Sequence, residues 1–189
     1  MATHLHWLSQ FLNNPRQVAA VAPASKTLGR LIAKMALDGL PEDGRVIEVG
    51  CGFGHVTRAL LEAGLPSERL VAIDLQNMAV KETSKLGVRA WCVDARYTHY
   101  LARDLDWGQC DSVVSSLGLV SMPKPLREQI LDSFDAATKL GGRLVQYTYG
   151  PQDPTRGGMD GRGWRRTGKD FTWRNLPPAH VWRWTKPAR

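Results

Sequence analysis

The sequence predicts an α/β domain: a mostly parallel sheet of seven strands with helices on both faces, a C-terminal antiparallel hairpin and an N-terminal helical extension. From Arg45 onward, short β-rich runs alternate with stretches of helical period, the pattern of strand, crossover and parallel strand. A glycine-rich turn, Gly50-Cys51-Gly52-Phe53-Gly54, joins the first of those runs to the first of those helices. Near the end, Val181-Trp182-Arg183-Trp184 alternates as a last strand, expected to pair with the residues near Phe171 at the sheet edge.

At 189 residues the chain has room for one core, and its 43% hydrophobic and 23% charged fractions exclude a largely disordered protein. No apolar run approaches the roughly 18 residues of a membrane-spanning helix. The first 25 residues carry two His, two Asn and two Pro rather than a basic start and an apolar stretch, so they do not read as a secretory signal. The expected location is cytoplasmic. Cys51, Cys92 and Cys110 are odd in number and lack C-x-x-C spacing, which suggests neither a disulfide framework nor a zinc site. The histidines show no ligand spacing either, so no metal is expected. His55, beside the glycine turn, reads as a surface helix start or a cofactor contact.

In chain order, Leu5, Leu8, Phe11 and Leu12 with Trp7 form an amphipathic helix over residues 4–14, ended by Pro15. Ser25 is placed to cap a second helix running to about Met35. The β runs follow at Val46 to Val49, Leu70 to Ile73, Val88 to Val93, Asp111 to Ser116 and Arg143 to Tyr149. Helical periods fill Val56 to Ala63, Asn77 to Leu86 and Leu126 to Leu140. Residues 1–40 are therefore expected to be a helical extension and 41–189 the α/β domain. Gly and Arg dominate residues 152–169, which read as a mobile loop.

The net charge of +7 is uneven: residues 151–189 hold 9 Lys+Arg against 3 Asp+Glu, and four of the seven Trp. Mixed Trp and Arg suits an anionic surface with an apolar layer behind it. Nucleic acid and an anionic membrane both qualify.

The chemistry lies at the strand ends. Alternate glycines after Glu48-Val49 let the backbone turn sharply and let a ligand lie against it. Asp74 ends the second run 20 residues after Gly54, where an acid can accept both hydroxyl hydrogens of a ribose. The E-x-G-x-G-x-G order departs from the dinucleotide pattern G-x-G-x-x-G and resembles the first motif of the class I S-adenosylmethionine-dependent methyltransferases. Their fold is the Rossmann-like sheet expected here. The resemblance implies Glu48, Gly50, Cys51, Gly52, Gly54, Asp74, Leu75, Asp94, Ala95 and Ser115 around S-adenosylmethionine, with S-adenosylhomocysteine as product. In it, Gly50 and Gly52 lie against the amino-acid part, Asp74 holds the ribose, and Asp94 bonds the adenine amino group.

Four further stretches, F-L-N-N-P-R-Q-V-A-A-V-A-P-A-S from Phe11, D-S-V-V-S-S-L-G-L-V from Asp111, G-G-R-L-V-Q-Y-T-Y-G-P from Gly141 and N-L-P-P-A-H-V-W-R-W from Asn175, are similar to the bacterial phospholipid N-methyltransferases. Cys51 and Phe53 stand where that family more often has Pro and Thr, and Ala24 where it often has Ser. The resemblance implies methylation of phosphatidylethanolamine or its mono- and dimethyl forms toward phosphatidylcholine, by an enzyme peripheral to the membrane. An rRNA adenine or small-molecule methyltransferase of the same fold is the alternative. Against adenine, Ser115-Ser116-Leu117-Gly118 replaces the Asn/Asp-Pro-Pro-aromatic clamp that follows the fourth strand in adenine N-methyltransferases, so a nucleic-acid partner is not expected.

An amine must be unprotonated to take a methyl group, and a growing quaternary ammonium is best held by aromatic faces. Tyr147 and Tyr149 flank Thr148 and share a face of the strand. They read as acceptor-site residues, one through its ring and one through its hydroxyl, or else as strand residues packed under a helix. Ser115 and Ser116 read as further acceptor-site candidates or as turn formers. The Trp7 helix and the Trp/Arg tail read as membrane contacts or as parts of the core and a solvated loop.

Overall fold

A computed structural model describes residues 24–188. Seven strands form one sheet in the order β3-β2-β1-β4-β5-β7-β6. β1 (Val46–Val49), β2 (Leu70–Asp74), β3 (Arg89–Cys92), β4 (Cys110–Ser115) and β5 (Thr138–Thr148) are parallel neighbours. β7 (Ala179–Thr185) runs antiparallel between β5 and the edge strand β6 (Arg165–Thr172), so the expected terminal hairpin forms. β1 and β4 are buried along their length, as central strands covered on both faces should be, polar Glu48, Ser112 and Ser115 included.

Strand parity divides the core. Ile47, Val49, Val71, Ile73 and Leu144 face α5 (Lys124–Ala137) through Ile130, Leu131 and Phe134. Val46, Leu70, Ala72, Val114 and Val145 lie on the other side with α1 (Lys26–Leu37) and α2 (His55–Glu62). α1 begins as expected: the Ser25 hydroxyl accepts from the Leu28 amide at 3.2 Å. Its Leu28, Ile32, Ala33 and Ala36 are buried, so this part of the N-terminal extension belongs to the core. The amphipathic stretch 4–14, with Trp7, lies outside the described residues. α3 (Asn77–Ser84) follows β2.

Three expectations are corrected. Between β3 and β4, where no element was anticipated, a short helical turn Ala95–Tyr97 leads into α4 (Thr98–Asp104). β5 starts at Thr138 rather than near Arg143, because α5 ends at Ala137 and the chain passes straight into the sheet. The stretch read as a mobile loop is folded. The Asp153 carboxylate accepts from the Thr155 amide at 2.7 Å and the Gly157 amide at 2.8 Å, and α6 (Gly158–Gly161) follows. Arg162 then bridges Glu128 (2.9 Å) and Asp132 (2.6 Å) on α5. Met159 and Trp164 are both buried, so two large side chains anchor a segment with few aliphatic ones. Arg165 to Lys169 belong to β6.

The tail tryptophans are also mostly interior. Trp164, Trp182 and Trp184 are in the core, and the Trp182 ring lies beneath Lys169 (4.2 Å) and Arg166 (5.4 Å). Trp173 alone of the four is exposed, at 78%. Among the described residues, no helix is long and apolar enough to cross a membrane.

Candidate functional site

At the carboxyl ends of β1 and β2 the chain makes two sharp turns that brace one another. Gly50 and Gly52 adopt φ of +77° and +52°, the left-handed region that side chains with a Cβ resist. The amides of Gly50 and Cys51 donate to the Ile73 carbonyl, and the Gly52 amide donates to Asp74 Oδ2 at 2.9 Å. Asp74 Oδ1 accepts from the Gln76 amide, also at 2.9 Å. Each carboxylate oxygen thus holds one backbone donor and keeps a second lone pair. A Cβ on Gly52 would meet no atom within 4 Å, whereas one on Gly50 would stand 2.8 Å from Leu117.

Beneath this turn Glu48 is fully buried and accepts from Thr57 Oγ1 at 2.5 Å, while its Oε1 has no partner. Burial pushes its carboxyl up to about 8, with the Thr57 hydrogen bonds only partly opposing. Burial likewise drives the Cys51 thiol up to about 12, so it is no nucleophile.

These turns open onto a cavity of about 530 Å³, within the range that holds a cofactor. It brings together Gly50, Cys51, Gly52 and Asp74 with Ser116, Tyr147 and Tyr149. Glu48, Gly54, Leu75, Asp94, Ala95 and Ser115 do not line it. Gly54 caps α2 instead. Leu75 projects outward at 67% exposure, and Ser115 is buried in β4. Asp94 caps the Ala95–Tyr97 turn and pairs with Arg96 through both oxygens, which holds its carboxyl below the usual range. An adenine amine there would compete with that guanidinium.

The wall also contains residues not anticipated from sequence: Ala24, Phe53, Gln76, Leu119, Val120 and Pro154. His55, at the first turn of α2, is among the lining residues too. Buried Gln146 on β5 donates to the Leu117 carbonyl at 2.9 Å and so fixes the loop after β4. Alternation along β5 would have placed it opposite Tyr147, but not its partner.

The Tyr147 and Tyr149 rings meet edge to face, centroids 5.7 Å apart at 71°. Burial raises both phenols, so neither ionises near neutral pH. The Ser116 hydroxyl beside them is buried without a hydrogen bond of normal geometry, although it stands near enough to Tyr147 to favour its phenolate. Among the described residues, no group of His, Cys, Asp and Glu is arranged to hold a metal ion.

Two braced turns thus face a pair of tyrosine rings across one cavity. The profile of the methyltransferase-domain family matches residues 46–142. Ribosomal protein L11 methyltransferase of Neisseria meningitidis is 32% identical over 126 residues, covering 67% of this chain and 39% of that protein. The chain therefore spans about two fifths of the length of this curated relative. Among solved structures, magnesium protoporphyrin IX methyltransferase from Synechocystis PCC 6803 with bound SAM superposes with a TM-score of 0.65 at 15% identity, over 85% of this chain and 78% of that one. The N-methyltransferase NodS from Bradyrhizobium japonicum WM9 gives 0.62 at 12% identity, over 84% and 94%. The open face at Gly52 and the spare lone pairs of Asp74 fit such a donor. The chain belongs to the methyltransferase-domain family.

Proposed function

We propose that the chain methylates the amine nitrogen of phosphatidylethanolamine or its mono- and dimethyl forms, at the membrane surface. The observation that carries this reading is the paired Tyr147 and Tyr149 rings in the same cavity as the glycine turn and Asp74. Gly50 and Gly52 leave room for the donor against the backbone, and Asp74 accepts its ribose hydroxyls. Bound S-adenosylmethionine supplies an electrophilic methyl carbon, which an unprotonated amine takes by in-line displacement to leave S-adenosylhomocysteine.

The tyrosines then act on the acceptor. The amine loses a proton to solvent before each transfer and becomes a cation again when it gains the methyl group, with one fewer hydrogen-bond donor each time, so ring faces can hold the product ammonium at every stage. Their hydroxyls stay neutral, which makes them hydrogen-bond partners rather than bases. Leu119 and Val120 give the cavity an apolar margin suited to a lipid. Exposed Trp173 and Leu176, with the exposed Arg165, Arg166, Lys169 and Arg174, suit an anionic bilayer. The similarity of the Gln146 to Pro151 and Asn175 to Trp184 stretches to phospholipid N-methyltransferases supports the same acceptor.

Methyl transfer to vesicles of phosphatidylethanolamine by the parent and by the Tyr147→Ala, Tyr149→Ala and matching Phe variants tests this. The Ala variant of the ring residue should raise the apparent KM for the dimethylated lipid by roughly 2- to 30-fold, the range that cation–π attraction allows. Its Phe variant should retain turnover, and cofactor affinity should be spared. Folded Ala variants of both positions that work at the parent rate would move the acceptor site elsewhere.

A further inference from the structure

The terminal hairpin ends in an apolar tip beside the cavity. β7 begins at the carboxyl end of β5, where His180 pairs with Thr148, so the turn between β6 and β7 lies at the same end of the sheet as the glycine turn and Asp74. Thr148, Tyr149 and Ala24 line the cavity there. The turn is fixed to the residue that follows Ala24. Buried Asn175 accepts from the Ser25 amide at 2.8 Å and donates to the Pro177 carbonyl at 2.7 Å, and the Ser25 hydroxyl donates to the Arg174 carbonyl at 2.7 Å. With its polar groups tied inward, the turn projects Trp173 at 78% exposure and Leu176 at 49%.

Strand parity puts charge behind this tip. Across the ladder Phe171 pairs with His180 and Lys169 with Trp182, so both side chains share the face of Trp182. Arg166 joins them over the same ring. Phe171 meets Trp173 edge to face, centroids 4.7 Å apart, and so continues the apolar tip back into the strand. At about 3.3 Å per strand residue, Lys169 stands roughly 7 Å behind Phe171. Exposed Asp170 pairs with Val181 and points to the other face. An apolar tip with cations one layer back matches the order of acyl boundary and phosphates in an anionic bilayer. Nucleic acid carries its charge outermost and offers Leu176 no apolar layer to enter.

We infer that the turn between β6 and β7 is a membrane anchor: Trp173 and Leu176 enter the interfacial layer of an anionic bilayer, and Lys169, Arg166 and Arg174 engage lipid phosphates behind them. The tie to Ser25 then holds the cavity close to the headgroups, so an amine reaches the tyrosines while its acyl tails stay in the bilayer. The role of the anchor in delivering the acceptor rests on the reading of that acceptor as a lipid amine.

The test measures binding apart from chemistry, with the full chain and vesicles of phosphatidylcholine and phosphatidylglycerol, which carry no acceptor amine. The double variant Trp173→Ser with Leu176→Ser should bind about 10- to 100-fold more weakly than the parent, the loss of two inserted apolar side chains. Its thermal unfolding midpoint should be unchanged, because both side chains are exposed. Lys169→Ala should weaken binding by about 5-fold, the worth of one cation at such a surface, and by less as salt rises. Acyl chains brominated near the headgroup should quench the fluorescence of the parent more than that of Trp173→Phe, which keeps an apolar ring and loses the indole that reports its depth. Equal vesicle binding by the parent and the serine variant, as attachment through residues 1–23 would give, overturns the inference. Binding to ribosomal RNA with none to vesicles overturns it too. A parent that binds vesicles through Trp173 yet methylates no phosphatidylethanolamine, in vesicles or in detergent micelles, overturns the lipid-amine reading and leaves the anchor in place.

Discussion

Gly52→Val should abolish S-adenosylmethionine binding, while Asp74→Ala should weaken it by about 1–3 kcal/mol through lost charged hydrogen bonds. At Gly52 two effects act together. The residue sits at φ +52°, where a β-branched side chain is strained, and its missing side chain faces open space at the cavity. Any Cβ substituent would occupy the volume that a ligand against this turn needs. Asp74 acts differently: its two oxygens also hold the Gly52 and Gln76 amides, so removing it loosens the turn as well as the ribose contact. Calorimetric titration checks both, with Gly52→Ala as the intermediate case and thermal unfolding to separate binding from folding. Unchanged affinity in both variants would remove the cofactor assignment.

The second large effect is on stability. Glu48 has an ordinary value of 4.5 and is held near 8 in the folded protein by burial. The folded state therefore retains a proton that the unfolded chain releases, and this contribution is full below pH 4.5 and lost as pH rises to about 8. The total is on the order of 5 kcal/mol, at about 1.4 kcal/mol per pH unit of displacement. Glu48→Gln mimics the protonated form and can still accept from Thr57. It should match the parent in denaturant unfolding near pH 4.5 and be the more stable protein at pH 8.5. Parallel stability curves for the two proteins would mean that Glu48 is ionised in the fold.

Much of the sheet was legible because the central strands are short runs rich in Val, Ile and Leu bounded by turn residues, as in Val46–Val49 and Leu70–Asp74. The glycine turn and Asp74 were legible for a related reason: their geometry is local, set by residues adjacent in sequence or at the ends of paired strands. The pairing of Tyr147 with Tyr149 followed from the two-residue period of a strand. Segment 153–164 was not legible, since its order comes from Arg162 reaching Glu128 and Asp132 and from two buried anchors rather than from any periodicity. The burial of Trp182 and Trp184 was hidden in the same way: alternation marked a strand but not that it sits inside the sheet, between β5 and β6. Ser25 and Asn175 come together across 150 residues, which no local pattern encodes. Asp94 is instructive because its partner Arg96 was only two residues away, and the basic neighbour was itself the signal that the carboxylate was already engaged.

The choice of acceptor is the central claim, and the partition of transferred methyl label tests it most directly. The chain is incubated with methyl-labelled S-adenosylmethionine and, in parallel, with vesicles of phosphatidylethanolamine mixed with anionic lipid, ribosomal RNA or ribosomal protein, and each product is extracted and counted. The account predicts label in the lipid fraction, as methylated ethanolamine headgroups, and none above background in RNA or protein. Label in RNA or protein with none in lipid would contradict it.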